Sequence, residues 1–205
     1  MPLVKKKFFI ACTEQECLKL YELLKDRMPT IAQVVMEITE KGLLVEAYGY
    51  ETDIKDLWFT IKSLIGPLKE ATRKVGVKKI KVDLVTKAIH KTFPPRVLVE
   101  VLRRKGFYVE YNAEDGSIVT SASFDEVVAL ADKIADLSVQ ASKLPATTST
   151  RYFIVAVCAI TGLSVDEAVN MAVEAGLIER GDDGRYVVKR DWRESLDSFL
   201  KRVKQ

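Results

Sequence analysis

The spacing of hydrophobic and polar positions changes repeatedly along this chain. Short apolar runs bounded by turn residues are typical of strands, and apolar residues three or four positions apart are typical of helices. Thr13 and Glu16 form a capping-box sequence that begins the first helix. Gly66-Pro67 is expected to end the second helix, because proline lacks the N–H that a helix needs. Over residues 1–67 the patterns predict a βαββα module with a strand at 5–12, a helix from Thr13, a hairpin at 34–39 and 43–48, and a helix at 53–65.

The middle of the chain, residues 68–143, has a related pattern with one more helix. Ser123 and Glu126 form a second capping-box sequence at the start of its last helix. The predicted βααββα order is a strand at 77–82, helices at 83–91 and 95–105, a hairpin at 107–111 and 117–122, and a helix at 123–142. Both modules end in a hairpin followed by a helix, which leaves open an internal repeat of two three-stranded sheets, each covered by helices on one face.

The C-terminal region has a different order of elements. Residues 144–149 have the composition of a linker, and residues 150–205 predict a helix, a turn, a second helix capped by Ser164 and Glu167, a hairpin over Gly-Asp-Asp-Gly and a last helix. This order is similar to that of a winged helix. The fold class predicted from the whole pattern is α+β, with three consecutive modules.

Composition indicates a folded protein with strongly segregated charge. Of the 205 residues, 48% are hydrophobic and 30% are charged, which is typical of globular proteins. The formal net charge of +3 conceals segments of −1 (residues 1–67), +9 (68–105) and −5 (106–205). The central segment has 12 basic and 3 acidic side chains, so it is the part of the chain best suited to a polyanion. Asn and Gln total only six, which favours a thermophilic source.

Cationic side chains in and beside the central helices are the candidate nucleic-acid contacts. Such side chains bind sugar-phosphate backbones without reading bases. The alternative is that they solvate exposed faces and complement helix dipoles. The candidates are Arg73, Lys74, Lys78, Lys79, Lys87, His90, Lys91, Arg96, Arg103, Arg104 and Lys105.

The sequence offers little for catalysis, metal binding or a cofactor. His90 is the only histidine and has no accompanying catalytic motif, so we predict no enzymatic activity and no cofactor. The three cysteines have no metal-ligand spacing, and we predict neither a zinc site nor a disulfide; Cys12 is expected to pack as a small apolar side chain. No apolar run has the length of a membrane-spanning helix, and a cytoplasmic protein is the expectation.

Four tyrosines on the predicted hairpins have two possible roles. They can stack on bases if their sheet face is open, or they can pack across strands. Their positions are Tyr48, Tyr50, Tyr108 and Tyr111.

Two resemblances sharpen these expectations. Over residues 76–142 the order of elements resembles that of a KH domain, an RNA-binding fold that clamps phosphates with a Gly-x-x-Gly loop; the equivalent loop here, HKTFPPR at 90–96, has no glycine. The segments FYVEYN (107–112), SIVTS (117–121), SVDEA (164–168) and GLIERGDDGRY (176–186) resemble an archaeal family of about two hundred residues catalogued as a domain of unknown function. That likeness implies an archaeal cytosolic setting and supplies no site residues.

These observations favour a non-enzymatic RNA-binding protein, associated with the ribosome or translation, that docks its central segment on structured RNA. The second helix of the winged-helix-like module, which would enter a DNA groove, carries Asp166, Glu167 and Glu174 and no basic residue. This module is therefore expected to orient the protein on the RNA or to meet a protein, or to be a simple packing surface. The alternatives are a DNA-associated transcription regulator and a protein-interaction scaffold without nucleic acid.

Overall fold

Three small antiparallel sheets, each accompanied by helices, follow one another along the chain. The computed structural model describes residues 3–25, 33–72 and 76–203, and within them it has the mixed α+β composition that the sequence predicts. The buried side chains form one continuous cluster that includes residues from all three modules.

The first module is a three-stranded sheet with helices on one face. It comprises β1 (Leu3–Ile10), α1 (Glu14–Lys25), β2 (Gln33–Thr39), β3 (Gly42–Tyr50) and α2 (Glu51–Ala71). The last strand lies in the middle, in the order β1-β3-β2, and is antiparallel to both neighbours. Alternate residues of β3, such as Leu43 and Val45, are buried toward the helices, where Phe8 of β1 stacks on Trp58 of α2 with ring centroids 4.6 Å apart.

The helix α2 does not end at Gly66-Pro67, so this part of the sequence interpretation was wrong. The helix contains Pro67 and continues to Ala71. Leu68 and Ala71 are buried and extend the apolar stripe of Ile61 and Leu64 at helical spacing. Burial of this extra turn outweighs the hydrogen bond that proline cannot donate. The boundary expected between the first two modules, after residue 67, lies inside this helix.

The second module has the predicted βααββα order. It comprises β4 (Lys78–Lys81), α3 (Val82–Ile89), α4 (Pro95–Arg104), β5 (Val109–Asn112), β6 (Ser117–Thr120) and α5 (Phe124–Ser142). Its antiparallel strand order, β4-β6-β5, again places the last strand in the middle. Pro95 occupies the first turn of α4, where a missing N–H costs nothing, and the Ser123–Glu126 capping box begins α5. The two modules therefore share the repeat of strand order that their sequences left open.

The third module contains the predicted helix, turn, helix, hairpin and helix. These are α6 (Thr148–Thr161), α7 (Val165–Glu174), β7 (Ile178–Arg180), β8 (Tyr186–Val188) and α8 (Trp192–Val203). No single helix of the described chain is long and apolar enough to cross a membrane. The helices α6 and α7 have the required length and apolarity only when they are taken together, and the chain bends by 110° between them. Residues 153–159 of α6 are buried without interruption, so α6 forms the centre of this module.

The segment 144–149 is packed structure and not the linker that its composition predicts. Ala146 is buried and forms an isolated bridge with Tyr186, whose N–H donates to Pro145 O at 2.7 Å. Thr147 then caps α6, which begins two residues earlier than predicted. The backbone of β8 provides the hydrogen-bond partners of this segment. These partners are about 40 positions away in sequence, so the local composition does not reveal them.

The expectations that no disulfide forms and that Cys12 packs as an apolar side chain were also wrong. Cys12 and Cys17 form a disulfide with Cα atoms 5.4 Å apart. The strand β1 ends at Ile10 and α1 begins at Glu14, and this short connection brings the two cysteines within bonding range. Cys158 is free and buried in α6.

Candidate nucleic-acid interface

The predicted cations separate into several groups in the structure. Arg73 and Lys74 lie outside the described residues, between α2 and β4. The remaining nine are distributed over β4, the last turn of α3 and its connection to α4, and the two ends of α4.

The edge strand β4 carries three lysines, and two of them contact one carboxylate. Lys79 and Lys81 project on the same side of the strand, and both bind Asp115 in the turn before β6, at 2.8 Å and 3.2 Å. Lys78 makes no ion pair with any residue of the described chain. The pKa of Asp115 is held far below its usual range by hydrogen bonds from Lys79, Ser117 and Lys81 and by the charge of Lys79. The strand retains excess positive charge after pairing.

The first sheet has the same arrangement, which the sequence interpretation missed. Lys5 and Lys7 project on one side of the edge strand β1, and both bind Glu46 of β3, Lys5 at 2.9 Å. Their hydrogen bonds lower the pKa of Glu46. The signal was present in the sequence as lysines two positions apart at the start of each module.

The connection between α3 and α4 is held against α5. Lys91 binds Asp132 and Asp136, each at 2.8 Å, and these carboxylates raise the pKa of Lys91. Lys87 pairs with Asp83 within α3 at 2.7 Å. His90 ends α3 in the left-handed conformation, with φ of 53°. The loop at 90–96, which the sequence interpretation likened to a KH phosphate loop, thus has its lysine engaged by two carboxylates.

The two ends of α4 differ. Arg96, in the first turn, is exposed and has no ion-pair partner among the residues that the structure describes. At the other end Arg103 and Arg104 bind Glu100 of the same helix at 2.9 Å and 2.7 Å. Glu100 is only 1% exposed. A buried carboxylate needs compensating charge, so Arg103 and Arg104 have a structural role at this end of the helix.

The cluster around Glu100 joins the second and third modules. Arg104 also binds Asp197 of α8 at 2.9 Å, and Arg193 at the start of α8 approaches Glu100 to 3.7 Å. Arg104 is therefore shared between two carboxylates, and its role is to connect α4 with α8. Arg103 is about half exposed and keeps part of its guanidinium available to solvent.

Lys105 lies beyond the end of α4, at a cavity of about 510 Å³ between α4, α5 and α6. Lys133 of α5 lines the same cavity and donates to Ala159 O at 3.2 Å. Lys105 itself forms no ion pair within the described ranges. Lys78, Arg96 and Lys105, called here the three unpaired cations, are predicted site residues that form no ion pair in the described chain. The pKa of Glu126 is nevertheless lowered by hydrogen bonds from Ser123 and also by the charge of Lys78.

Three of the four hairpin tyrosines are exposed. Tyr48 and Tyr50 lie on the face of the first sheet opposite the helices, and Tyr108 lies beside β5 with its hydroxyl bonded to Glu110. That contact raises the pKa of Tyr108. Tyr111 is partly buried against the core, as expected of cross-strand packing.

The helix α7 remains acidic on its surface. The carboxylate of Glu167 is held in the capping box with Ser164, which lowers its pKa, while Asp166 and Glu174 are exposed. In the described residues no group of three His, Cys, Asp or Glu side chains is placed to hold a metal ion.

Comparison with known proteins places the chain in one family. Residues 11–197 match the family described as an uncharacterized protein conserved in archaea (DUF2067). The chain belongs to this archaeal family. No curated protein and no solved structure matches it.

Proposed function

We propose that this DUF2067 protein binds structured RNA without catalysing a reaction, and that it does so in association with the ribosome or translation. The proposal depends on one observation above all. The edge strand β4 carries three lysines, of which Lys79 and Lys81 share the carboxylate of Asp115 and Lys78 forms no ion pair in the described chain, so the strand remains cationic after its ion pairs form.

The excess charge continues around α4. Arg96 and Lys105 have no carboxylate partner in the described chain, and Arg103 shares the buried Glu100 with two other arginines. A phosphate backbone is a polyanion that such side chains bind at several points at once. We therefore propose contacts from Lys78, Lys79, Arg96, Arg103 and Lys105, with Arg73 and Lys74 as neighbours in sequence.

The ion pairs of the other candidate cations favour one kind of RNA over another. Lys91 is engaged by two aspartates and the adjoining loop has no glycine, which disfavours a KH-type clamp on four nucleotides. Contacts from a rigid strand edge and helix ends suit the backbone of folded RNA, whose shape is fixed in advance. We propose ribosomal RNA because it is the most abundant structured RNA in a cell.

The winged-helix-like module is proposed to contact a protein. The acidic surface of α7 would repel a nucleic-acid duplex, whereas the Glu100 cluster holds α8 in contact with the RNA-binding module. A cytoplasmic setting follows from this role, and the Cys12–Cys17 disulfide is compatible with it, since intracellular proteins of hyperthermophilic archaea often contain disulfides.

The test is cosedimentation of the native protein with archaeal ribosomal particles, followed by crosslinking and sequencing of the attached RNA. We expect comigration at low salt, release at high salt and crosslinks near Lys78 and Arg96. Preferential retention on duplex DNA would indicate the transcription regulator instead. Free migration at low salt, with a protein recovered by crosslinking, would indicate the scaffold.

A further inference from the structure

The outer face of the first sheet carries exposed aromatic and basic side chains. Even-numbered residues of β3 point away from α1 and α2, because the odd-numbered Leu43, Val45 and Ala47 are buried beneath those helices. On this outer face Tyr48 is 45% exposed and Tyr50 is 43% exposed. The neighbouring apolar side chains Leu3, Phe9 and Val35 are more than half exposed.

The strand register places lysines directly beside the tyrosines. In the antiparallel pair of β1 and β3, Lys5 is opposite Tyr48, and Lys7 is opposite Glu46 two positions away. Adjacent strands are about 4.8 Å apart, and alternate residues along a strand are about 6.8 Å apart. The two rings therefore form a row on the central strand, parallel to the row of Lys5 and Lys7 on the edge strand, whose ammonium groups both contact Glu46.

Charge on this face increases toward one edge. On this face β1 carries Lys5 and Lys7 and no acidic residue, whereas Glu37 is the only charged residue of β2. Glu46 neutralises one of the outer lysines, so the β1 edge keeps a positive charge. A strand of nucleic acid with its phosphates along β1 and its bases over β3 matches both rows.

We propose that this outer face binds unpaired nucleotides of RNA, with bases stacked on Tyr48 and Tyr50 and phosphates held by Lys5 and Lys7. The inference deepens the proposed RNA function by naming a second contact with a different substrate, a single-stranded segment instead of a folded one. Aromatic platforms beside cations bind such strands with little sequence preference, because every base has a stacking face. A second protein copy fits this edge less well, since lysines on an edge strand disfavour strand pairing between chains.

The test measures binding of a fluorescent 12-nucleotide RNA without self-complementarity to the full chain and its variants. The Tyr48→Val/Tyr50→Val double variant, called here the valine pair, removes both rings, while the β-branched valines preserve the strand. We expect its affinity to fall by roughly tenfold or more. The Tyr48→Phe/Tyr50→Phe variant is expected to bind like the wild type, and so is Tyr108→Val on the second sheet. Unchanged affinity in the valine pair would overturn the inference.

Photocrosslinking provides a readout that does not depend on a variant's folding. RNA containing 5-bromouridine is expected to crosslink to Tyr48 or Tyr50 of the wild-type protein. Crosslinks only elsewhere, or exclusive binding of the matching single-stranded DNA, would contradict the assignment. A wild-type dimer that the valine pair converts to a monomer without loss of RNA binding would show an interface between copies and would also contradict it.

The two RNA proposals fail separately. Loss of single-strand binding in the valine pair with retained binding of a folded ribosomal RNA fragment supports two independent sites. If the folded fragment binds and the 12-mer does not, this inference is wrong and the proposed function stands. If only the 12-mer binds, the tyrosine face is correct and the docking of the central segment is wrong.

Discussion

Lys79 binds Asp115 at 2.8 Å, across the gap between an edge strand and the turn that precedes the central strand. Lys81 shares the same carboxylate, and in the first sheet Lys5 and Lys7 share Glu46. Each repeat thus begins with a basic edge strand whose outer lysines outnumber their acidic partners. This common arrangement supports RNA binding by both sheets.

Asp115 is expected to limit the affinity for RNA. The Asp115→Asn variant releases Lys79 and Lys81 from their partner and increases the local charge by one unit. We expect tighter binding of folded RNA at low salt and a steeper dependence on salt concentration. Electrophoretic mobility shifts over a salt series measure both. The charge-matched control is Glu110→Asn on the same sheet. Weaker binding by Asp115→Asn would contradict the proposed role of Lys79 and Lys81.

The same carboxylate gives stability a defined pH dependence. Ion pairs lower the pKa of Asp115 in the folded chain relative to the unfolded chain. Its contribution is therefore complete above about pH 4 and is lost as the pH falls through the folded value. Urea midpoints of the wild type and Asp115→Asn are expected to differ at pH 6 and to converge toward pH 2. A constant difference across this range would argue against the pair.

Glu100 is expected to be important for stability because it is buried and contacts three arginines. The Glu100→Gln substitution preserves shape but leaves Arg103, Arg104 and Arg193 with less compensating charge. We expect a loss of about 2 kcal/mol, below the full cost of breaking a buried pair because the arginines are partly exposed. Urea denaturation measures this loss, and the exposed Glu194→Gln on α8 is the control. Equal stability of the two variants would contradict the buried cluster.

Pro67 inside α2 is expected to reduce stability. In Pro67→Ala the regained N–H can donate to the carbonyl of Ser63, and the ring clash with the preceding turn disappears. The unfolded chain gains freedom, which offsets part of this effect. A net stabilisation of about 1–2 kcal/mol in thermal unfolding is expected. Destabilisation would mean that the helix ends before Pro67, as its sequence suggests.

The disulfide predicts a particular pattern of thiol reactivity. Burial raises the pKa of Cys158 to about 11, and the other two cysteines are joined, so the native protein is expected to react slowly with thiol reagents. Unfolding without reductant should expose one thiol, and with reductant three. The bond closes a loop of about five residues, and its loss in Cys12→Ser should lower the free energy of unfolding by about 2 kcal/mol. Three reactive thiols without reductant would contradict the disulfide.

Periodicity predicted the order of elements because local patterns determine it. The capping boxes at Ser123 and Ser164 and the hairpin over Gly-Asp-Asp-Gly are local signals, and the structure confirms each. The errors at Pro67 and Ala146 have one cause in common. Both segments are stabilised by burial or by strands distant in sequence, which no window of a few residues contains.

The candidate site was less predictable than the fold. The charge segregation identified the central segment, but the partners of Lys91 and the second partner of Arg104 lie 41 to 93 positions away, on α5 and α8. Only the tertiary structure shows that these cations are paired while the three unpaired cations are not. The tyrosine face required the strand register, which places Lys5 beside Tyr48.

The most direct test of the central claim is the salt dependence of binding to a folded ribosomal RNA fragment. The Lys78→Gln/Arg96→Gln/Lys105→Gln variant is compared with Lys41→Gln/Lys143→Gln/Lys201→Gln, which removes the same charge from exposed positions elsewhere. We expect the first variant to bind more weakly, with a slope of log affinity against log salt that is shallower by about two, and the second to behave like the wild type. Identical slopes for all three proteins would contradict RNA docking by the central segment.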